Sequence, residues 1–243
     1  MTLPVRQVME INHKTKLILA SGSPRRAKIL QSLGVDFEIV KSDAPEVAYP
    51  GDPERTVSEN AIAKGAAARA SLVSRLASCD LRHSTCDTPV ASAPSPSPSS
   101  SSSPSPTPTP SPSPSPTPSP TPSPSLLPIL SADTIVWLDG RIYGKPRDLD
   151  EAREFLRWLS GRTHSVFTGV ALDGDVRVVR SDVKFRALSE SDVEEYVMSV
   201  RPLDRAGAYD IDERGDLIVE SYTGSYENIM GLPVEPLKEW GIV

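Results

Sequence analysis

Apolar and polar positions near the start of the chain follow a strand–turn–helix–strand order. Leu17 to Ala20 form a continuous apolar run, and residues 35–40 alternate apolar with polar, so both segments are predicted as strands. Between them, Ser23 suits a helix N-cap and Pro24 suits the first helical position, where its missing N–H is tolerated. We expect this helix to end at Gly34.

The alanine-rich segment over residues 57–78 is predicted as a long helix. Thr56 and Glu59 have the spacing of a capping box at its start. Its apolar face is predicted at Ile62, Ala66, Val73 and Leu76. Lys64 lies away from that face.

The second half of the chain is predicted to form β-hairpins separated by helices. The predicted strands are residues 129–138, 141–146, 163–172, 176–188 and 216–223. Helices are predicted over 148–160, with a capping box at Asp148 and Glu151, and over 189–200. Strands and helices alternate at first and antiparallel hairpins follow, so the pattern predicts an α/β fold with a mixed sheet.

One segment has no apolar pattern at all. From Pro94 to Ser125 the chain contains only proline, serine and threonine, a composition that cannot bury apolar surface. Long insertions into a surface loop cost little closure entropy. We therefore expect a single domain over residues 1–243, with an ordered core of about 14–90 and 126–243 and a disordered insertion over 91–125.

Charge and cysteine content exclude several classes of partner. The net charge of −6 argues against a general binder of nucleic acid or of anionic membranes. Cys79 and Cys86 have no CxxC neighbour, which favours free thiols in a reducing compartment over a zinc site. No secretory leader and no apolar run of membrane length is present in the sequence. We expect a cytoplasmic protein.

Asp133 is the most unusual candidate for chemistry, because it lies with Thr134 inside an otherwise apolar strand. A buried carboxylate is costly unless it is paired, hydrogen-bonded or bound to a metal. Lys145 follows the Asp139–Gly140 turn and could be brought back beside it. An aspartate held by backbone N–H groups and an exposed turn lysine are the alternatives.

The turn before the first helix is a candidate anion site. Free backbone N–H groups at the helix start, together with Arg25 and Arg26, suit a phosphate, although an ordinary cap with two solvated arginines has the same chemistry. Glu46 and Lys64 each read as surface charges when taken alone. Brought together beside this turn, these groups could hold a divalent cation, orient water and neutralise phosphate oxygens.

Other catalytic patterns are absent or weak. The sequence has neither a GxSxG elbow nor a GxxxxGK[ST] or GxGxxG phosphate loop. His164 follows a predicted helix stop at Gly161 and is expected to be a hydrogen-bonded structural histidine, so a Ser-His-Asp triad has little support. The segment GSYENIMGLP is interpreted as a loop that closes on the site.

Taken together, these segments resemble the Maf family of nucleoside triphosphate pyrophosphatases. The resemblance rests on LILASGSPRRAKILQSLGVDF, SADTIVWLDGRIYGKPRDLDEAREFLRWLSGRTHSVFTGVAL, PLDRAGAYDI and GSYENIMGLPVEPL, and it excludes only the first dozen residues and the Pro/Ser/Thr tract. It implies a mixed twisted α/β sheet flanked by helices, with a deep nucleotide cleft of the inosine-triphosphatase-like type. It also implies a homodimer that hydrolyses a nucleoside triphosphate between its α and β phosphates, giving a monophosphate and pyrophosphate.

The resemblance also implies roles for individual residues. Asp133 would accept the proton of the attacking water, with help from Lys145, and Glu46 and Lys64 would contribute to the metal and phosphate environment. A Mg or Mn ion would be held by Glu46 and Asp133. The residues that would bind the phosphates are Ser21, Ser23, Arg25 and Arg26. The substrate-selecting positions would be Arg25, Thr134 and Asp212.

One departure from the family pattern concerns the base. The branch that acts on dTTP and UTP usually has AGAYxIQ, whereas this chain has AGAYDID, so Asp212 stands where glutamine is expected. An ionised aspartate only accepts hydrogen bonds, which favours bases with donor edges, as in GTP or CTP. This leaves three readings open: a dTTP/UTP enzyme, the same enzyme with a shifted base preference, and a nucleotide-binding regulator of septum formation. A docking role for the proline tract is a weaker alternative.

Overall fold

A computed structural model describes residues 16–80 and 127–243 of the chain. Residues 16–74 and 127–243 belong to one compact unit, and Arg75–Leu126 form a second unit whose described part is the end of one helix. The predicted insertion over 91–125 lies outside the described residues, as does Cys86.

A mixed sheet of seven strands is the centre of the first unit. Its strands are β1 Leu17–Leu19, β2 Phe37–Ile39, β3 Ile129–Leu138, β4 Arg141–Tyr143, β5 Thr163–Leu172, β6 Asp175–Phe185 and β7 Val219–Thr223. They are ordered β2-β1-β3-β5-β6-β7, and β4 also pairs with β3. β1 is parallel to β2 and β3, and the other pairs are antiparallel. The predicted α/β fold with a mixed sheet is confirmed.

Helices cover both faces of the sheet. They are α1 Pro24–Ser32, α2 Pro53–Asp80, α3 Leu149–Leu159, α4 Glu190–Val200, α5 Gly215–Ile218, α6 Tyr226–Ile229 and α7 Glu235–Glu239, with a 3-10 turn at Ala206–Ala208. Leu130 and Ala132 of β3 pack in a core with α1 and α7, whereas Ile129 and Ile135 pack in cores with α2. Successive side chains of a strand point to opposite faces, so α2 covers one face and α1 and α7 the other. None of the helices in the described ranges combines the length and apolar character that crossing a membrane would require.

The start of α2 differs from the prediction. The helix begins at Pro53, and Asp52 Oδ1 accepts a hydrogen bond from Arg55 N at 3.0 Å, which is the role of an N-cap side chain. Thr56 lies within the first turn, and its hydroxyl donates to the Asp52 carbonyl at 3.0 Å. The predicted Thr56–Glu59 capping box is therefore wrong, because the Asp-Pro pair upstream provides an earlier start.

The buried face of α2 also differs from the prediction. Ile62 and Val73 are exposed, and the positions that pack on the sheet are Val57, Asn60, Ala61 and Ala68. Alanines lie on every side of this helix, so its pattern of apolar positions has only weak helical periodicity. The prediction followed the bulky Ile62 and Val73 and therefore chose the wrong face. Lys64 belongs to the sheet-facing side and not to the solvent side.

The last predicted strand starts later than expected. Residues 216–218, which were predicted as part of the strand, belong to α5 and place Ile218 in the core beside α4. The Ile218 carbonyl accepts a hydrogen bond from Arg186 N at 2.9 Å, just beyond the end of β6. β7 therefore begins at Val219.

His164 is a structural residue, as predicted. Its Nε2 lies 2.9 Å from the hydroxyl oxygen of Tyr209, and its ring packs edge-on against Phe185 and Tyr209 with centroid distances of 4.8 and 5.3 Å. The side chain is buried, which lowers the pKa of His164 from 6.5 to about 3. The native protein therefore holds this imidazole in its neutral form.

Acidification is expected to destabilise the protein through His164. Because its folded pKa lies below its unfolded pKa of 6.5, its contribution is complete above that pH and declines as pH falls towards 3. Between pH 6.5 and 5, the free energy of unfolding should fall by about 2 kcal/mol. The measurement is urea unfolding at several pH values, with His164→Phe as the comparison. An equally steep pH dependence in the variant would assign the effect to other groups.

Candidate active site

The cleft opens where one edge of β3 changes partner. β1 pairs with the start of β3 at Ile129 and Leu130, and β4 pairs with its end from Val136 to Leu138. Between these ladders, residues 131–135 pair with β5 alone in the described part of the chain. The gap leaves room for a ligand beside the middle of β3, and Asp133 and Thr134 lie in that middle.

Asp133 faces α2 and is only 5% exposed. The Lys64 ammonium lies 2.5 Å from its Oδ1, and the Asn60 side-chain amide donates to its Oδ2 at 2.9 Å. Lys145 lines the same cleft but does not contact this carboxylate. The buried aspartate is therefore stabilised by two side chains of α2, Asn60 and Lys64. Lys145, which was predicted to lie beside it, does not bond to it.

Asn60 is a site residue that sequence reasoning missed. It lies one helical turn before Lys64, so both side chains share one face of α2. Besides Asp133, it binds Val47 twice, donating to the carbonyl at 3.0 Å and accepting from the N–H at 2.8 Å. It thereby fixes the loop that carries Glu46, whose Oε1 lies 2.6 Å from the Lys64 ammonium.

Arg26 reaches the opposite face of β3. Its Nη2 donates to Thr134 Oγ1 at 2.9 Å, its Nη1 to Ser21 Oγ at 3.0 Å and its Nε to the Gly231 carbonyl at 2.8 Å. All three acceptors are neutral. Burial lowers the pKa of Arg26 to about 10, so it keeps its proton at neutral pH. The guanidinium is a fixed positive charge to which no carboxylate of residues 16–80 or 127–243 is bonded.

The turn before α1 has the expected shape. Ser23 is the N-cap residue with Pro24 following it, although the Ser23 side chain makes no capping hydrogen bond. Ser23 N instead donates to Ser21 Oγ at 3.2 Å. Both serines line the cleft.

Arg25 is neutralised by a carboxylate that was not anticipated. Its Nη1 lies 3.0 Å from Asp210 Oδ2, which also accepts from Arg205 Nε at 3.0 Å. Burial raises the pKa of Asp210, but a hydrogen bond from Asp212 N and the two guanidinium groups outweigh it, and the pKa lies below its ordinary value. Arg25 and Arg26 therefore differ: one is paired with an anion and the other is not.

Asp212 lies outside the cleft wall. It is half exposed, its Oδ2 is 3.0 Å from the Lys28 ammonium, and its Oδ1 accepts from the Tyr226 hydroxyl at 3.3 Å. The side chain predicted to select the base is therefore bound to Lys28 and Tyr226 at the surface and does not line the cleft. The carboxylate of this segment that does line the cleft is Asp210, two residues earlier.

The cleft has a volume of about 910 Å³, within the range of small-molecule sites. All the predicted site residues except Asp212 line it, namely Ser21, Ser23, Arg25, Arg26, Glu46, Lys64, Asp133, Thr134 and Lys145. The GSYENIMGLP segment contributes Ile229, Met230 and Gly231 to the wall. Lys41 also lines the cleft, and no sequence pattern pointed to it.

Two carboxylates of the cleft suit a divalent cation. The positive ammonium of Lys64 lies between Asp133 and Glu46, so this pair already accommodates a cation. Mg²⁺ is commonly held by one or two carboxylates plus the phosphates of a substrate. Among the described residues, no group of three or more His, Cys, Asp or Glu side chains could hold a metal. Asp133 and Glu46 could therefore supply only part of a metal's ligands, with oxygens of the substrate as the others.

Comparisons with known proteins identify the family of this chain and several of its relatives. The family model described as Maf-like protein matches residues 16–240. A dTTP/UTP pyrophosphatase of Chromobacterium violaceum is 35% identical over 224 residues, covering 90% of each chain. Proteins with the same name from Dictyoglomus thermophilum and Bacillus cereus are 34% and 33% identical, each covering 91% of this chain and 92% of its own length.

Proposed function

Because this chain belongs to the Maf-like protein family, we propose that it is a nucleoside triphosphate pyrophosphatase acting on dTTP and UTP. The observation that carries the proposal is the meeting in one cleft of a buried carboxylate, Asp133, with the Arg26 guanidinium, whose hydrogen bonds to the described residues all go to neutral acceptors. A water-activating base beside a fixed cation is what hydrolysis of a phosphoanhydride requires. The shared name of the relatives supports the same activity and the same substrates.

Asp133 is the proposed general base. Within the described part of the chain, each of its oxygens receives one hydrogen bond, from Lys64 or from Asn60, so lone pairs remain on both to accept a proton. The oxygen of the attacking water forms a bond to phosphorus while its proton passes to Asp133. The bond between the α and β phosphates breaks, and its electron pair leaves with the pyrophosphate.

Arg26 and Lys145 are the proposed binding residues for the negatively charged phosphates of the substrate. Arg26 is held in place by Ser21, Thr134 and the Gly231 carbonyl before any ligand arrives, so little ordering is needed when phosphate binds. Lys145 is exposed at the cleft wall and has no partner among the described residues, which leaves its ammonium available. Arg25, paired with Asp210, suits the nucleoside end of the substrate better than the phosphates.

A divalent cation, Mg or Mn, belongs to this proposal. Asp133 and Glu46 would hold it, and it would neutralise phosphate oxygens as negative charge develops on the leaving group. Lys64 contacts both carboxylates and keeps them together.

The alternatives from the sequence receive less support. A shifted base preference depended on Asp212, which lies outside the cleft wall, and the relatives share one name, dTTP/UTP pyrophosphatase. A regulator without catalysis would have no need of a buried carboxylate with a hydrogen-bonded amide and ammonium. The site and the relatives therefore support a dTTP/UTP pyrophosphatase better than either alternative.

Pyrophosphate release tests the proposed function. The full chain is incubated with the common nucleoside triphosphates, with Mg²⁺ or Mn²⁺ and with EDTA, and pyrophosphate and monophosphate are quantified. We expect equal amounts of both products, with dTTP and UTP turned over fastest. Orthophosphate in place of pyrophosphate, or nucleotide binding without release, would refute the proposal.

Asp212→Gln is expected to leave the order of substrates unchanged. The side chain of Asp212 binds Lys28 and Tyr226 at the surface, so restoring the family's glutamine there does not alter the cleft wall. The check is kcat/KM for dTTP, UTP, CTP and GTP in both proteins. A marked rise in the ratio of UTP to GTP turnover in the variant would show that the residue at position 212 does select the base.

Three further features are proposed on the sequence argument. A single Maf-like domain with an insertion over 91–125 is supported by the parallel pairing of β1 with β3, which joins the two flanks of that segment. A cytoplasmic location and a homodimer stay predictions.

A further inference from the structure

The cleft contains fewer free cations than its sequence suggests. Lys64 lies between two carboxylates, and Arg25 pairs with Asp210. The cationic side chains of the wall without a carboxylate partner among the described residues are Arg26, Lys41, Lys145 and Arg141, whose guanidinium lies over the Tyr143 ring at 5.0 Å. A triphosphate carries several negative charges, so each cation without a carboxylate partner matters for its binding.

Lys41 lies beside the anion-binding turn. It follows β2, and Val40 N donates to the Leu19 carbonyl at 3.0 Å, so the ends of the parallel strands β1 and β2 are held together. Its stem runs along the turn at Gly22: a Cβ placed on Gly22 would lie 3.5 Å from Lys41 Cε. The carboxyl ends of adjacent parallel strands are where α/β proteins bind ligands.

The charge of Lys41 is not neutralised within the described part of the chain. Lys41 is exposed and has no hydrogen bond or ion pair there. Asp43 lines the same cleft but forms no ion pair with it. The ammonium can therefore swing towards a ligand on a flexible stem without first breaking a salt bridge.

We propose that Lys41 is a further binding residue for the polyphosphate of the substrate, acting with Arg26 across the turn between β1 and α1. This inference rests on the proposed function. Its ligand class is a diphosphate or triphosphate anion, which two cations on either side of one turn can hold together. A monophosphate presents less charge and should depend on Lys41 much less.

Lys41→Met is the test variant, because methionine keeps the apolar stem along Gly22 and removes only the charge. Binding of inorganic pyrophosphate and of UMP is measured by isothermal titration calorimetry on the full chain. Lys28→Met is the matched control: Lys28 is also an exposed lysine, on α1, but it pairs with Asp212 outside the cleft wall. Lys41→Arg tests rescue by a retained charge.

The expected result is a pyrophosphate dissociation constant about fivefold to tenfold higher in Lys41→Met, with UMP affinity and the Lys28→Met control nearly unchanged. KM for the triphosphate should rise while kcat stays close to native, and Lys41→Arg should restore most of the affinity. Unchanged pyrophosphate affinity in Lys41→Met, or equal losses for UMP and pyrophosphate, would overturn the inference. A native protein that binds pyrophosphate through Lys41 but releases none from nucleotides would refute the proposed function, and Lys41 would then be a polyphosphate-binding residue of a protein that is not this enzyme.

Discussion

Asp133→Asn should lower pyrophosphate release by roughly a thousandfold, the middle of the range for loss of a general base. Asparagine has the shape of aspartate but cannot take the proton of the attacking water. The Asn60 and Lys64 side chains that surround it remain, and so does the Arg26 guanidinium on the other face of β3. Nucleotide binding should therefore survive the loss of turnover. Single-turnover release of pyrophosphate, alongside calorimetric binding of UTP, separates the two quantities.

Asp43→Asn is the matched control for this experiment. Asp43 is also a carboxylate in the cleft wall, but it is exposed and contacts neither Lys64 nor Asn60. It should keep most of the native turnover. If Asp133→Asn retained a tenth of the native rate, Asp133 would not be the base, and the water would have to be activated elsewhere in the cleft.

Gly169→Ala should be the most destabilising small substitution at this site. Gly169 lies directly opposite Asp133 in the β3–β5 ladder. A Cβ there would lie 2.7 Å from the carbonyl carbon of Val57 and closer still to its oxygen, in the backbone of α2. Neither the strand nor the helix can yield easily, so we expect a loss of about 3 kcal/mol, which is a fall in Tm of about 6 to 12 °C for a domain of this size.

The same substitution should also reduce activity in the fraction that stays folded. To relieve the clash, α2 must move away from the sheet, and Asn60 and Lys64 move with it from Asp133. Gly51→Ala is the control, because a Cβ on Gly51 would meet no atom of the described residues within 4 Å. Thermal unfolding and kcat are compared for both variants. A native Tm in Gly169→Ala would show that α2 is not packed as closely on β5 as the structure has it.

The local elements of the site were predictable because their patterns are short. The β3 run over 129–138 and the turn with Ser23 and Pro24 at the start of α1 occur as predicted. Each depends on neighbours within a few residues: an apolar run for the strand, and a capping residue followed by proline for the helix. The resemblance added the family, and with it the activity that is now proposed.

The face of α2 was not predictable in the same way. An alanine-rich helix can pack several of its sides, and exposed Ile62 and Val73 pointed to the wrong one. What decides the face is the close approach allowed by Gly65 and Gly169, which come from different elements. The apolar pattern of α2 cannot show that Gly169, in β5, leaves room for the α2 backbone at Val57.

By itself, the sequence determined the strand that carries Asp133, the arginine-bearing turn and the family to which they belong, because each is encoded by adjacent residues. The partners of these groups were decided only by the tertiary structure. Asp133 meets Lys64 across 69 positions of sequence and Arg25 meets Asp210 across 185. Such pairs depend on which strands lie side by side and which helix face packs on them. For that reason two adjacent arginines have different charge environments, and a lysine without a recognisable motif, Lys41, lies in the cleft.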